Sequence, residues 1–322
     1  MSIFEGIWVP LVTPFHHGEI DFDQAQQLAI MYRNAGVHGL VVGGTTGEAA
    51  TLSAKEQEQL LMEVLAAVGD TCPVLMGMSG SDTRHLAEKV KRYEQANLKG
   101  FLVSAPSYVK PSQEGIFQHF SAIAQATERA MVVYNIPSRT GVNIELNTVL
   151  RMRKHANVVA IKECGGSLNH MADLINLSDL KVLCGDDALL FHSLCLGGHG
   201  AISAAAHIRP DLFVHLYDLC RKGETVAARA LFHQLLPMIQ MLFSEPNPAP
   251  VKAALALSGL IREELRLPMT TMSRQGKATL SEILLTLMSI PDPRKGQDKV
   301  VLLGQNLFQS NSNRHTVEST GA

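Results

Sequence analysis

Hydrophobic and polar positions along the chain repeat as a pair: a short, almost continuous apolar run, then a longer stretch with apolar residues every three or four positions. The short runs lie in GIWVPLVTPF near the start, HGLVVGG (38–44), PVLMGMS (73–79), GFLVSAP (100–106), MVVYNIP (131–137), VVAIKEC (158–164), KVLCGDD (181–187) and GAISAAA (200–206). Continuous runs rich in β-branched residues suit parallel strands covered on both faces, where strict alternation would suit half-exposed ones. The intervening stretches carry a helical stripe. In SAKEQEQLLMEVLAAV the residues Leu60, Leu61, Val64, Leu65 and Val68 fall on one face, and Ser53 followed by Glu56 forms a capping-box pattern at its start. SDTRHLAEKVKRYEQA reads the same way.

Eight such pairs in just over two hundred residues predict an α/β chain folded as a (β/α)8 TIM barrel over residues 1–222. The competing architecture, a doubly wound open sheet, usually has fewer strands and a glycine fingerprint after the first. Neither G-x-G-x-x-G nor G-x-x-x-x-G-K-[ST] occurs. Beyond the eighth strand, DLFVHLYDLC, VAARALFHQLLPMIQMLF, PVKAALALSG and TLSEILLTLM exceed what a minimal barrel needs. They predict a C-terminal helical subdomain over 223–290. From 291 to 322 the chain turns polar, starting PDPRKGQ and ending QSNSNRHTVESTGA. A disordered tail is expected there, with VVLLGQNLF (300–308) the one piece apolar enough to dock.

Composition narrows the classes. The chain has 322 residues, is 46% hydrophobic and carries a formal net charge of -2, so nothing is basic enough for a nucleic-acid or membrane surface. Cys72, Cys164, Cys184, Cys195 and Cys220 are odd in number and show no C-x-x-C spacing, which points to reduced thiols and away from a disulfide framework or zinc site. MSIFEGIWVPLVTPF carries Glu5 and no positive leader, making a poor signal peptide. No apolar run reaches the ~20 residues of a membrane span. A soluble, cytoplasmic protein is expected, with no nucleic-acid and no membrane partner.

Active sites of such barrels lie at the C-terminal ends of the strands, which turns strand ends into candidates. Lys162 ends the sixth strand. A lysine in water is almost wholly protonated at pH 7, whereas a nucleophilic one must be neutral, and burial against apolar walls shifts that balance. Such an amine forms a Schiff base with a ketone or aldehyde, an electron sink for making or breaking C–C bonds. The alternative is a lysine that snorkels out of the barrel mouth or pairs with Glu163. In YNIPSRTG (134–141), Tyr134 offers a phenol able to move protons beside a lysine, or simply an aromatic that closes the barrel top. Arg139 offers a bidentate carboxylate clamp, or a solvated loop cation. GGTTGE (43–48), with Thr45 and Thr46, presents backbone N–H groups and hydroxyls to a small anion, or is a strand-to-helix turn with a threonine cap. Asp186 and Asp187 lack ligand-spaced partners and read as a polar strand end; no metal site is expected.

Taken together, GGTTGE, P-x-Y-x-K-PSQEG (106–115), YNIPSRTG, IKE, GDD and EPNPAPVK (245–252) resemble the dihydrodipicolinate synthase family, within the pyruvate-dependent class I aldolases and lyases. The likeness runs in order from about Gly6 to about Met288. The resemblance implies that Lys162 forms a Schiff base with pyruvate, without other cofactor, and that Tyr134 passes protons. Thr45 and Tyr108 complete a hydroxyl relay, Tyr108 reaching in from a neighbouring subunit of a homotetramer built from tight dimers. Thr46 holds the pyruvate carboxylate in a pocket lined by Gly185 and Ile202. Arg139 grips L-aspartate 4-semialdehyde, and an aldol-type condensation with cyclisation, in lysine biosynthesis, follows. Relatives that cleave sialic or 2-keto-3-deoxy sugar acids usually carry a small or aliphatic residue where SRTG stands here, so Arg139 favours a synthase over a sugar-acid aldolase. A non-catalytic barrel paralogue is the reading of another class, opposed by the intact Lys162, Tyr134 and Thr45. Two departures stand out. PSYVKP has one tyrosine where relatives commonly show two adjacent ones. The positions of the lysine feedback pocket of bacterial relatives correspond to Ser81, His85, Ser107, Ala54 and Gln57, which lack its acidic partner, so weak or absent inhibition by lysine is expected.

Overall fold

The computed structural model describes residues 4–293. All eight apolar runs contain a strand: Gly6–Pro10 (β1), Gly39–Val42 (β2), Val74–Met78 (β3), Gly100–Ser104 (β4), Ala130–Asn135 (β5), Val158–Glu163 (β6), Lys181–Cys184 (β7) and Gly200–Ile202 (β8). They pair in parallel, each with its sequence neighbours, and β8 returns to β1 to close the barrel. Strand residues alternate between two cores. Trp8, Val41, Leu75, Leu102, Val132, Ala160, Leu183 and Ile202, one from each strand, fill the barrel interior. Their neighbours along the chain pack outward against the helices. Room for the indole comes from Gly39: a Cβ there would lie 2.3 Å from the Trp8 ring.

The helices follow in chain order: Phe22–Asn34 (α1), Ala54–Val68 (α2), Thr83–Arg92 (α3), Gln113–Ala124 (α4), the short Pro137–Thr140 (α5), Leu146–Met152 (α6), Leu168–Leu177 (α7), Leu190–Cys195 (α8) and Pro210–Arg221 (α9). The capping box at Ser53 is formed in both directions, Glu56 N–H donating to Ser53 Oγ at 3.2 Å and Ser53 N–H to Glu56 Oε2 at 2.8 Å. Thr225–Leu242 (α10), Ala249–Leu257 (α11) and Arg274–Met288 (α12) come after the barrel and share its outer apolar core. Among the described residues no helix is long and apolar enough to cross a membrane.

The second half of the first apolar run is not strand. After Pro10 it leaves the barrel sheet, packs into the outer core and enters a small hairpin, Phe15–His16 against Glu19–Ile20. At the other end of the chain, the buried Arg209 pairs with Asp211 at 2.7 Å and donates to the carbonyls of Leu287 (2.9 Å) and Ile290 (3.0 Å). This guanidinium gathers the last turn of α12, and it still reaches the Pro291 carbonyl at 3.5 Å. The VVLLGQNLF segment lies outside the described residues.

Two histidines are held neutral by the packing. His207 Nε2 accepts from Val12 N–H at 3.2 Å while its Nδ1 donates to the Ala204 carbonyl at 2.8 Å. His119 meets Thr83 at 2.7 Å. Burial pushes each imidazole down to about 4. The unfolded chain would therefore take up protons between pH 6.5 and 4 that the fold refuses, so each histidine withdraws stability as pH falls through that window. Asp187, pushed up to about 6 chiefly by burial, acts in the opposite sense. NMR titration should show the rings of His119 and His207 retaining neutral shifts from pH 7 to about 5. A midpoint above pH 6 for either would contradict the enclosed environment.

Candidate active site

Lys162 and Tyr134 are register partners on adjacent strands β6 and β5, and alternation turns both side chains inward. Lys162 Nζ sits over the phenol ring, 4.3 Å from its centroid, and Lys162 is only 7% exposed. Pairing with Glu163 does not occur: one residue further along the strand, Glu163 faces the helix layer. There its carboxylate accepts from Asn135 Nδ2 at 2.9 Å and Gly165 N–H at 2.5 Å, and it lies 3.7 Å from His170. Burial raises its pKa.

A cavity of about 590 Å³ opens above Lys162 at the C-terminal ends of the strands. Thr45, Thr46, Tyr134, Arg139, Lys162, Gly185 and Ile202 all line it, so seven of the eight candidates meet in one place. Burial raises the Tyr134 phenol well above its usual range; Cys164 adds to this, while Arg139 and a hydrogen bond with Thr45 pull the other way. Gly185 is needed sterically, because a Cβ there would lie 2.5 Å from Lys162 Cε. Tyr108 stands apart. It is 92% exposed, at φ +70° in the loop after β4, and does not line the cavity of its own subunit. A second cavity, of about 720 Å³, is lined by Phe4, Arg153, Lys154, Asp179 and Lys181 and contains none of these groups.

Three further features of the mouth were not singled out from sequence. Asn247 donates from Nδ2 to Thr46 Oγ1 at 3.0 Å, from the turn before α11. Glu48, the last residue of GGTTGE, is buried at φ +53° and forms an ion pair with Lys252 of α11. Lys252 also donates to the Glu264 carbonyl at 2.8 Å and lies 4.2 Å above the Phe15 ring. EPNPAPVK thus acts as a bracket: Asn247 holds Thr46 and Lys252 holds Glu48. Cys164 lines the cavity beside Tyr134. Asp187 is also here: Oδ2 accepts from Ala205 N–H at 2.9 Å, and the carboxyl is buried. Among the described residues no three His, Cys, Asp or Glu side chains come together as metal ligands would.

An amine beside a phenol, with hydroxyls and a guanidinium in the same cavity, is a set of groups able to carry imine-forming condensation of carboxylic acids. The family model described as Dihydrodipicolinate synthetase family matches residues 3–287. The chain is 41% identical over 284 residues to the 4-hydroxy-tetrahydrodipicolinate synthase of Syntrophus aciditrophicus, covering 88% of this chain and 98% of that protein. It is 41% identical over 285 residues to the enzyme of the same name from Syntrophobacter fumaroxidans, with 88% and 98% covered. The crystal structure of dihydrodipicolinate synthase from Thermotoga maritima superposes with a TM-score of 0.86 at 37% identity, over 88% of this chain and 98% of that one. The enzyme from Cyanidioschyzon merolae, with lysine bound, gives 0.87 at 34%, over 89% and 99%. A barrel mouth built in this way, in a chain that matches the family model over nearly its whole described length, establishes that the protein belongs to the dihydrodipicolinate synthetase family.

Proposed function

We propose that the protein condenses pyruvate with L-aspartate 4-semialdehyde to 4-hydroxy-tetrahydrodipicolinate. The observation that carries this is the enclosed Lys162 amine stacked on Tyr134 at the floor of the mouth cavity. Lys162 adds to the pyruvate ketone, and the carbinolamine loses water to give an iminium. Loss of a methyl proton gives the enamine, whose carbon bonds to the aldehyde carbon of the second substrate while the aldehyde oxygen takes up a proton. The amino group of that substrate then attacks the imine carbon, closes the ring and releases Lys162. Tyr134, which lines the cavity together with Thr45, moves the protons. Thr46, fixed by Asn247, holds the pyruvate carboxylate against Gly185 and Ile202, and Arg139 clamps the carboxylate of the semialdehyde. No group other than the lysine imine enters these steps.

Tyr108, exposed on its own subunit, fits a role at the mouth of a neighbouring one, in a homotetramer of paired dimers. The competing substrate class is a sugar acid; Arg139 at the cavity rim favours a second carboxylate instead. Borohydride reduction with pyruvate, followed by peptide mapping, is expected to fix the adduct on Lys162. Turnover with aspartate semialdehyde but not sugar-acid cleavage completes the test. No adduct, or cleavage of a sugar acid alone, rejects the assignment.

Lysine is expected not to act as a feedback inhibitor. At the positions of the expected pocket, Ser81 Oγ donates to the Ser107 carbonyl at 2.6 Å, and Lys89 Nζ donates to Gln57 Oε1 at 2.6 Å. A resident ammonium therefore already engages Gln57, and the acid's position, His85, carries no carboxylate to receive the ligand's ammonium. Burial lowers the pKa of Lys89. Turnover at about 1 mM lysine, enough to half-fill a site that binds by about 4 kcal/mol, should match turnover without it. Half-inhibition at or below that concentration would contradict this.

A further inference from the structure

Arg139 stands on a helix of only four residues, Pro137–Thr140, too short to hold its shape alone. What fixes this segment is a polar knot at the ends of β5 and β6, built on the fully buried Asn135 and Glu163. Asn135 Oδ1 accepts from Ile144 N–H at 3.0 Å, nine residues further on, so one side chain ties together both ends of the segment that carries Arg139. Its Nδ2 donates to Asn143 Oδ1 at 2.8 Å and to Glu163 Oε2 at 2.9 Å. Glu163 also accepts from Gly165 N–H at 2.5 Å, and a Cβ at Gly165 would lie 2.5 Å from Glu163 Oε1, so glycine leaves the carboxylate its room. These partners fix which way round the amide sits. Turned over, it would set its oxygen against the carboxylate and its NH2 against the Ile144 N–H. On the solvent side, Gln113 of α4 donates to the Asn143 carbonyl at 2.8 Å and accepts from Glu145 N–H at 3.1 Å.

We infer, resting on the condensation proposed above, that Asn135 and Glu163 are positioning residues for the second substrate: Glu163 orients the Asn135 amide, and Asn135 ties down the loop that aims Arg139 into the cavity. The register of β5 and β6 separates this task from imine formation. Tyr134 pairs with Lys162 and faces the barrel interior, whereas Asn135 pairs with Glu163 one position on and faces the other way. The knot therefore acts on the grip of the semialdehyde carboxylate and leaves the pyruvate end alone. An apolar pair of similar volume would hold the two strands together as well. It could not offer an acceptor to the Ile144 N–H or a donor to Asn143, and that is the part of the knot that reaches Arg139.

The test replaces the knot by such an apolar pair, Asn135→Leu with Glu163→Met, which removes both polar partners and strands no carboxylate. Borohydride trapping of pyruvate on Lys162 and the pyruvate KM are expected within about twofold of the parent. The KM for aspartate semialdehyde should rise about 10-fold, the worth of one charge-assisted hydrogen bond of the Arg139 clamp. Made on an Arg139→Ala background, the same pair should add less than twofold, because both changes act through one guanidinium. An unchanged semialdehyde KM overturns the proposal, as does a full tenfold rise on the Arg139→Ala background. A pyruvate KM that climbs in step with the semialdehyde KM also overturns it, since that is the mark of a merely structural role. Should the apolar pair not fold, Asn143→Ala decides. It deletes one partner of the Asn135 amide at an exposed position and should raise the semialdehyde KM about threefold with trapping intact, whereas an unchanged KM rejects the role. Failure of the parent itself to trap pyruvate or to turn over the semialdehyde would instead reject the functional reading, and this inference with it.

Discussion

Replacing Lys162 by alanine is expected to lower condensation by about 10⁴-fold or more and to abolish borohydride-trapped pyruvate, while the protein stays folded. Among the described residues lining the cavity Lys162 is the one primary amine, so nothing else there can form the imine. The loss removes a covalent step and not merely a contact, which is why it should exceed the one or two orders of magnitude of a lost binding group. Folding should be little affected, because the contact Lys162 gives up is an aromatic one with Tyr134. Steady-state rates with aspartate semialdehyde and a thermal melt check both halves. Turnover within tenfold of the parent would end the Schiff-base account.

Replacing Lys252 by methionine is expected to destabilise the fold by about 3–5 kcal/mol, the usual penalty when one partner of a buried ion pair is removed and the other remains. The stranded group would be Glu48, which is buried and whose remaining partner is the backbone N–H of Arg266 at 3.1 Å. The same residue is held at positive φ at the end of GGTTGE, two positions from Thr46. Disturbance there should also raise the pyruvate KM. Adding Glu48→Gln to the methionine variant should recover much of the stability, since the uncompensated charge would be gone. Denaturant midpoints for the two single variants and the double variant measure this. A loss below about 1 kcal/mol for Lys252→Met would show that Glu48 finds another partner and that the bracket from α11 is dispensable.

Much of the barrel was legible because parallel strands buried on both faces have to be continuous apolar runs, and each of the eight runs contains a strand. The exception is instructive. GIWVPLVTPF is apolar along most of its length, but only Gly6–Pro10 pairs in the barrel, and Leu11, Val12 and Phe15 are apolar because they pack into the core outside it, where Phe15 also gives Lys252 and Arg266 an aromatic face. Burial, not strand pairing, explains their hydrophobicity. Seven of the eight candidate site residues meet in the cavity for a simple reason. Strand-end position is local information, and closure of the barrel converts eight strand ends into one ring. Tyr108 was chosen by resemblance and has no such geometric guarantee within a single subunit.

The sequence by itself determined the strands, the helix stripes, the Ser53 cap and the list of polar strand ends, since each depends on spacing within a few residues. Tertiary structure alone decided which face each strand residue takes within the closed barrel, and so that Lys162 stacks on Tyr134 while its neighbour Glu163 turns away. It also decided that Asn247 and Lys252 reach Thr46 and Glu48 across some two hundred residues, and that Cys164 shares Gly185 with the lysine. The physical reason is range. Periodicity reports burial along one element, whereas hydrogen bonds, ion pairs and steric room at the mouth depend on distances set only when the ring of strands closes and the last helices pack over it.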